Sequence, residues 1–270
     1  MKKYLRTFTS TFLTFCIFIP LLNLIADPFW YYRIVEIQGF NQVKSKFQFF
    51  ERQYKPLILD KEKPHAIILG SSYSEIGLDP LHPGLAKNGS KTYNFGMINA
   101  HWDEVICNFH FAIQSSPINQ IVLGIDAREL KNYDCSEKIE LMKQPHHMRN
   151  LMSLEATIQS FKVLGRQGSH EATHTREGLF FYGRGTSNTQ EAFKIQFRKN
   201  NKCQPPNDKP TPKEKSAGLD LAGLRDVIRN ILKKNIFTKI IINPMHTYNY
   251  ENLIGCKGEA NYWDILYQIA

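Results

Sequence analysis

Apolar positions along the chain fall into three kinds of run. Phe8 to Ala26 carries no charged residue, and its length is close to the roughly 20 residues that span the hydrocarbon core of a bilayer. After Pro64 come four short, nearly continuous apolar runs, "HAIILGSS", "KTYNFGM", "INQIVLGID" and "FTKIIINP", each bounded by Gly, Pro or polar residues. They predict buried strands. Between them, residues 101–115 ("HWDEVICNFHFAIQS") and "LAGLRDVIRNILKKN" place apolar side chains at helical spacing, and "NYWDILYQIA" predicts the start of a further helix. Strands alternating with helices of this length predict an α/β fold, a parallel sheet with helices on its faces. Unbroken apolar strands fit burial on both sides.

The flanks of the first run give it a direction. Lys2, Lys3 and Arg6 precede it and Asp27 follows, which predicts a cytoplasmic N-terminus with the rest of the chain outside. Trp30, Tyr31 and Tyr32 fall where an interfacial aromatic belt would lie. The exit "NLIADPFW" has large residues and Pro28 where a signal peptidase requires small ones, so residues 1–32 read as an uncleaved signal-anchor. Residues 33–63 are polar and basic and read as a connecting, partly helical stalk. Residues 64–270 read as the α/β domain, with a long insertion at about 131–217. That insertion holds a helical pattern, "SLEATIQSFKVL", and a Pro/Lys-rich loop, "CQPPNDKPTPKEKS".

Charge and cysteine usage narrow the function classes. Lys and Arg number 34 against 25 Asp and Glu, a net charge of +9. No dense basic block interleaved with aromatics and no zinc-finger spacing occurs, so nucleic acid is not an expected partner. Of the five cysteines, Cys16 lies in the apolar run and the others form no CxxC pair. Outside the cytoplasm disulfides are chemically allowed. Cys135 and Cys203 flank one irregular region and are the first candidates for a pair; buried free thiols are the alternative. His146, His147, His170 and His174 lie in the insertion without recognisable ligand partners and read as exposed. Gly183-Arg184-Gly185 lacks the context of a phosphate loop. No metal or cofactor is expected.

Ligands of open parallel sheets bind beyond the carboxyl ends of the strands, here "LGSSYSEIGLDP", "YNFGMINAHW", "LGIDAREL" and "INPMHTY". The succession "AIILGSSYSEIGLDP", "TYNFGMINAHWDEV" and "IVLGID" resembles the SGNH hydrolase (GDSL esterase/acyltransferase) superfamily. The closer likeness is to bacterial single-anchor envelope proteins with a Gly-Ser-Ser form of the first block. It covers the anchor, "ADPFW" and residues 64–127, and extends more weakly to "NPMH". The resemblance implies a three-layer, flavodoxin-like parallel sheet held by the inner membrane and facing the periplasm. It also implies acyl chemistry on an acylated envelope polysaccharide.

Carried over by position, Ser72 takes the place of the nucleophile that attacks an ester carbonyl; a Ser capping the following helix is the alternative. Asn99, five residues after Asn94, stands where the family has a Gly whose N–H holds the oxyanion, and Asn tolerates left-handed backbone better than most residues. Asp126 replaces a family Asn, and a carboxylate accepts hydrogen bonds without donating them. The family's C-terminal Asp-x-x-His has no counterpart after Pro244, so the C-terminal part of the domain is expected to be missing. His246, at the fourth strand end, is the one candidate base, or else a structural or substrate-contacting residue. Two functions stay open: a serine acyl esterase or O-acyltransferase, and a non-catalytic protein that binds an envelope glycan or a partner protein.

Overall fold

The computed structural model describes residues 1–44, 47–85, 90–125, 134–143, 151–168, 173–181 and 222–243. The apolar N-terminal run is helix α1 (Lys2–Ala26), the one described helix long and apolar enough to cross a membrane. A 3-10 turn (Phe47–Phe49) leads into α2 (Glu51–Glu62). Then follow β1 (Ala66–Leu69), α3 (Ser72–Gly77), β2 (Thr92–Asn94), α4 (Trp102–Ser115) and β3 (Gln120–Ile125). After these come α5 (Ser136–Lys143), α6 (Leu154–Gly165), the short strands β4 (Thr173–His174) and β5 (Phe180–Phe181), α7 (Ala222–Lys233) and β6 (Phe237–Ile242).

All four strands expected from continuous apolar runs form, and they pair in parallel in the order β2-β1-β3-β6. The chain therefore reverses its winding between β1 and β3. Side-chain alternation divides the sheet. Ile67 and Leu69 of β1 and Ile121, Leu123 and Ile125 of β3 enter the main core. Ala66, Ile68 and Val122 face the other way, against Leu85. On the main-core side, α4 contributes Val105, Ile106, Phe109 and Ala112, the helical spacing seen in the sequence. Its first turn holds Asp103 and Glu104, favourable beside free backbone N–H groups. Leu224, Val227 and Ile231 of α7 close the same core.

Two expectations change. Residues 47–62, read as part of a stalk, are an integral layer: Tyr54, Leu57, Ile58 and Leu59 of α2 are buried in the main core. Two of the charged residues that made this segment look solvated, Glu51 and Lys55, are themselves buried, as described below, while Arg52, Asp60 and Lys61 stay exposed. The disulfide joins Cys135 to Cys107 of α4 instead of to Cys203, which lies outside the described residues. The reason is packing: Ile139 and Met142 seat α5 in the core against α4, which carries Cys135 to the α4 surface.

The end of α1 is wired into the domain. Asn23 is buried; its Nδ2 donates to Leu151 O at 2.7 Å and to Thr157 Oγ1 at 3.1 Å, and Ser160 Oγ donates to its Oδ1 at 2.8 Å. The last carbonyls of a helix have no partner within it. Here Asn41 Nδ2 donates to Ile25 O and Lys44 Nζ donates to Ala26 O. Asp27 accepts the backbone N–H groups of Tyr31, Tyr32 and Arg33. The end of the helix is thereby docked on the domain.

Candidate functional site

The winding reverses between β1 and β3, and the carboxyl ends of the strands at such a reversal are the position at which open α/β sheets bind ligands. The turn Gly70-Ser71-Ser72 leaves β1 at this point. Gly70 has φ +147°, and a Cβ there would collide with Ser74 Oγ; a Cβ on Gly124 of β3 would collide with the same atom. Both glycines are therefore required for the first turn of α3 to sit over the two strand ends. Asn243, after β6, donates from Nδ2 to Ser74 Oγ at 3.3 Å.

The two serines of the turn divide their roles. Ser71 is the cap of α3: its buried Oγ accepts the Tyr73 N–H at 3.3 Å. Ser72 is the first helical residue, half-exposed, and its hydroxyl has no hydrogen-bond partner among the described residues. The capping alternative thus belongs to its neighbour.

The loop after β2 runs beside this turn. Phe95 N–H donates to Ile68 O at 2.8 Å and Met97 N–H to Gly70 O at 3.2 Å, so the chain continues along β1 into the turn. The buried Asn94 side chain staples the two together. It donates to Ser74 O and Leu78 O and accepts the Gly96 N–H. Asn99 has φ 59° and is exposed: the left-handed geometry expected of it is present. Asp126 and His246 lie outside the described residues.

Behind the turn is a cluster that no motif announced. Lys55 and Glu75 are completely buried, and Lys55 Nζ lies 2.6 Å from Glu75 Oε1. The same ammonium donates to Gly96 O at 2.5 Å and to Gly178 O at 3.2 Å. His174 Nε2 lies 2.7 Å from Glu75 Oε1 and 3.7 Å from Glu51 Oε2. Glu51 Oε1 accepts the Ile98 N–H at 2.8 Å, while Arg52 donates to Ile98 O. One hub therefore ties α2, α3, the loop after β2 and the β4–β5 hairpin. At the tip of that hairpin, Glu177 O accepts the Asn94 N–H at 2.7 Å.

The protonation pattern of the hub follows from burial and charge. Burial pushes the Glu51 carboxyl up, only partly offset by His174 and Lys55. Burial also acts on Glu75, but the adjacent Lys55 ammonium and the His174 hydrogen bond outweigh it and hold that carboxyl at about 2. Glu75 is thus ionised against Lys55 and, as an acceptor only, takes the His174 Nε2–H, while burial shifts the neighbouring Glu51 toward its neutral form. Glu51, Glu75 and His174 could by composition ligate a metal ion, their ligand atoms lying within 4.8 Å of one another. The Lys55 ammonium already occupies the cationic position beside Glu75. The set fits a closed ion-pair network better than a metal centre.

Sequence reading set His174 aside as an exposed residue; it is buried between Phe47 and Phe180. The available signal was the (i, i+4) pair Glu51/Lys55 in a segment that also holds Tyr54 and the run Leu57-Ile58-Leu59. No family model, curated protein or solved structure matches the chain, so the placement of these residues rests on the chain's own geometry.

Proposed function

We propose that this protein is a single-pass, membrane-anchored serine acyl esterase or O-acyltransferase with a three-layer SGNH-type domain, acting on an acylated polysaccharide of the bacterial envelope. The observation that carries the reading is Ser72, with its hydroxyl unclaimed by capping, on the turn that leaves β1 at the winding reversal. A hydroxyl in that position can meet an ester carbonyl at the strand ends. The left-handed Asn99, on the loop after β2 that runs along the turn, is the candidate oxyanion N–H donor. The buried hub holds both segments in fixed relation, the preorganisation that acyl transfer requires. The length and apolarity of α1 support the anchor. The Cys107–Cys135 bond supports an oxidising compartment outside the cytoplasm, in agreement with Lys2, Lys3 and Arg6 before the span.

The test is hydrolysis of p-nitrophenyl acetate by the full-length protein in detergent, beside Ser72→Ala. The proposal predicts that Ser72→Ala loses most of the turnover while its thermal unfolding is unchanged. Equal rates for the two proteins would remove Ser72 as nucleophile. Asp126 at the position of a donor Asn favours a second reading, a non-catalytic binder of envelope glycan or protein. Retained glycan binding with no turnover in either protein would select it.

A further inference from the structure

Helix α6 is built inside out. Its buried face is small or polar, with Ala156 and Ser160 fully buried beside Gln159 and Val163. The opposite face presents Leu154, Ile158 and Phe161, spaced i, i+4, i+7, with 76%, 41% and 58% of their surfaces exposed. A water-facing helix carries the reverse arrangement. The helix packs against α1, and Asn23 of α1 is hydrogen-bonded to Thr157 and Ser160 on its inner side. Along α1, residues up to Phe15 are exposed, whereas Cys16, Ile19, Pro20 and Leu22 are half-buried. The inner side of α6 therefore lies along the C-terminal half of the apolar span.

A second exposed apolar group occurs on the loop that follows α1. Ile34, Ile37 and Phe40 all face outward, and this loop is fixed to the end of α1 by Asn41, which donates to both Ile25 O and Val35 O. Loop and helix are also tied to each other: Val43 N–H donates to Gln167 Oε1, and Gln167 Nε2 donates to Val43 O. Together they flank the exit of α1 as a collar that is tied to it by polar groups and presents Ile34, Ile37, Phe40, Leu154, Ile158 and Phe161 outward.

We infer that this collar is a second membrane-binding element, seated in the lipid headgroup and acyl-chain boundary where α1 emerges. This rests on the reading of α1 as a membrane span. Lipid is the occupant because α6 packs along the C-terminal half of the span itself, and the polar groups that fix the collar are engaged with α1 and with one another. Such a face lies in the interface plane in proportion to its buried apolar area. A docked α1 with an interfacial collar holds the strand ends at a fixed height and tilt above the bilayer, which suits a substrate presented at the membrane surface.

The experiment places a benzophenone amino acid at Ile37, Ile158 or Phe161 of the full-length protein. The protein is reconstituted in nanodiscs of phosphatidylcholine and phosphatidylglycerol, irradiated and analysed by mass spectrometry. Phe12 in the span is the positive control, and Leu232 of α7, an exposed apolar residue on a helix packed against α4, is the solvent control. The collar predicts phospholipid adducts at all three sites at yields near that of Phe12 and several-fold above Leu232. Yields no higher than Leu232, with Phe12 still labelled, overturn the collar and leave the anchor standing. Cross-linked dimers, or adducts to another segment of the same chain, overturn it too by naming a different occupant. Absence of lipid adducts at Phe12 removes the anchor and the collar together.

Discussion

Replacing Lys55 by Met keeps the aliphatic stem of the side chain and deletes only the ammonium. Three acceptors lose the ammonium: Gly96 O at 2.5 Å, Gly178 O at 3.2 Å and Glu75 Oε1 at 2.6 Å, the last keeping the His174 Nε2–H. Neither Lys55 nor Glu75 has any exposed side-chain surface, so water cannot take the vacated place without opening the core. Removing one partner of a buried ion pair costs about 3–5 kcal/mol, because the other charge is left uncompensated. We expect Lys55→Met to lie in that range at neutral pH. Glu75→Gln should cost a comparable amount for the complementary reason. The double variant Lys55→Met/Glu75→Gln should cost clearly less than the two singles added, since it leaves no unpaired charge. The assay is urea unfolding of the full-length protein in detergent, followed by the fluorescence of the buried Trp30 and Trp102. A Lys55→Met cost below about 1 kcal/mol, or additivity of the two singles, would refute the hub as an ion-paired unit.

The remaining predictions concern pH, the disulfide and the strand ends. Glu75 titrates at about 2 in the fold against an ordinary 4.5. Its contribution is present above pH 4.5 and is lost as pH falls toward 2, roughly 3 kcal/mol in all; acid unfolding curves of Glu75→Gln should be flatter over that window. Burial pushes the Lys44 ammonium down to about 8 from 10.5, so the unfolded chain binds the extra proton between those values. Stability should therefore rise with pH there, and Lys44→Met should remove the rise. Reducing the Cys107–Cys135 bond, a separation of 28 residues, should lower stability by about 3.5 kcal/mol on the loop-entropy account, read as a shift in the urea midpoint. Gly124→Ala drives a methyl into Ser74 Oγ and should cost about 1–3 kcal/mol by overpacking; Ser74→Ala in the same chain should recover much of the loss.

The elements that set the architecture could be read from the chain because their signals are local. Ile67 to Leu69 and Ile121 to Leu123 are unbroken apolar runs, and each forms a buried parallel strand. The 101–115 periodicity became α4 within a residue of its bounds. The hub was not readable, because its interactions join residues far apart in sequence: Lys55 to Gly96 across 41 positions, Glu75 to His174 across 99. A charged residue is most often solvated, and that rule turned α2 into a stalk and His174 into a surface histidine. The same rule fails in reverse at α6, whose large apolar side chains face outward. Periodicity located the helix and said nothing about which face turns inward. Cysteine order, likewise, does not encode pairing; the docking of α5 on α4 decided it.

Ser72 is the residue on which the functional account turns, and a serine-directed fluorophosphonate tests it most directly. The full-length protein in detergent is treated with the reagent, digested and mapped by mass spectrometry. The account predicts one phosphonylated serine, Ser72, with Ser71 and Ser74 unmodified because their hydroxyls are buried and engaged. A folded protein whose Ser72 stays unmodified would contradict it.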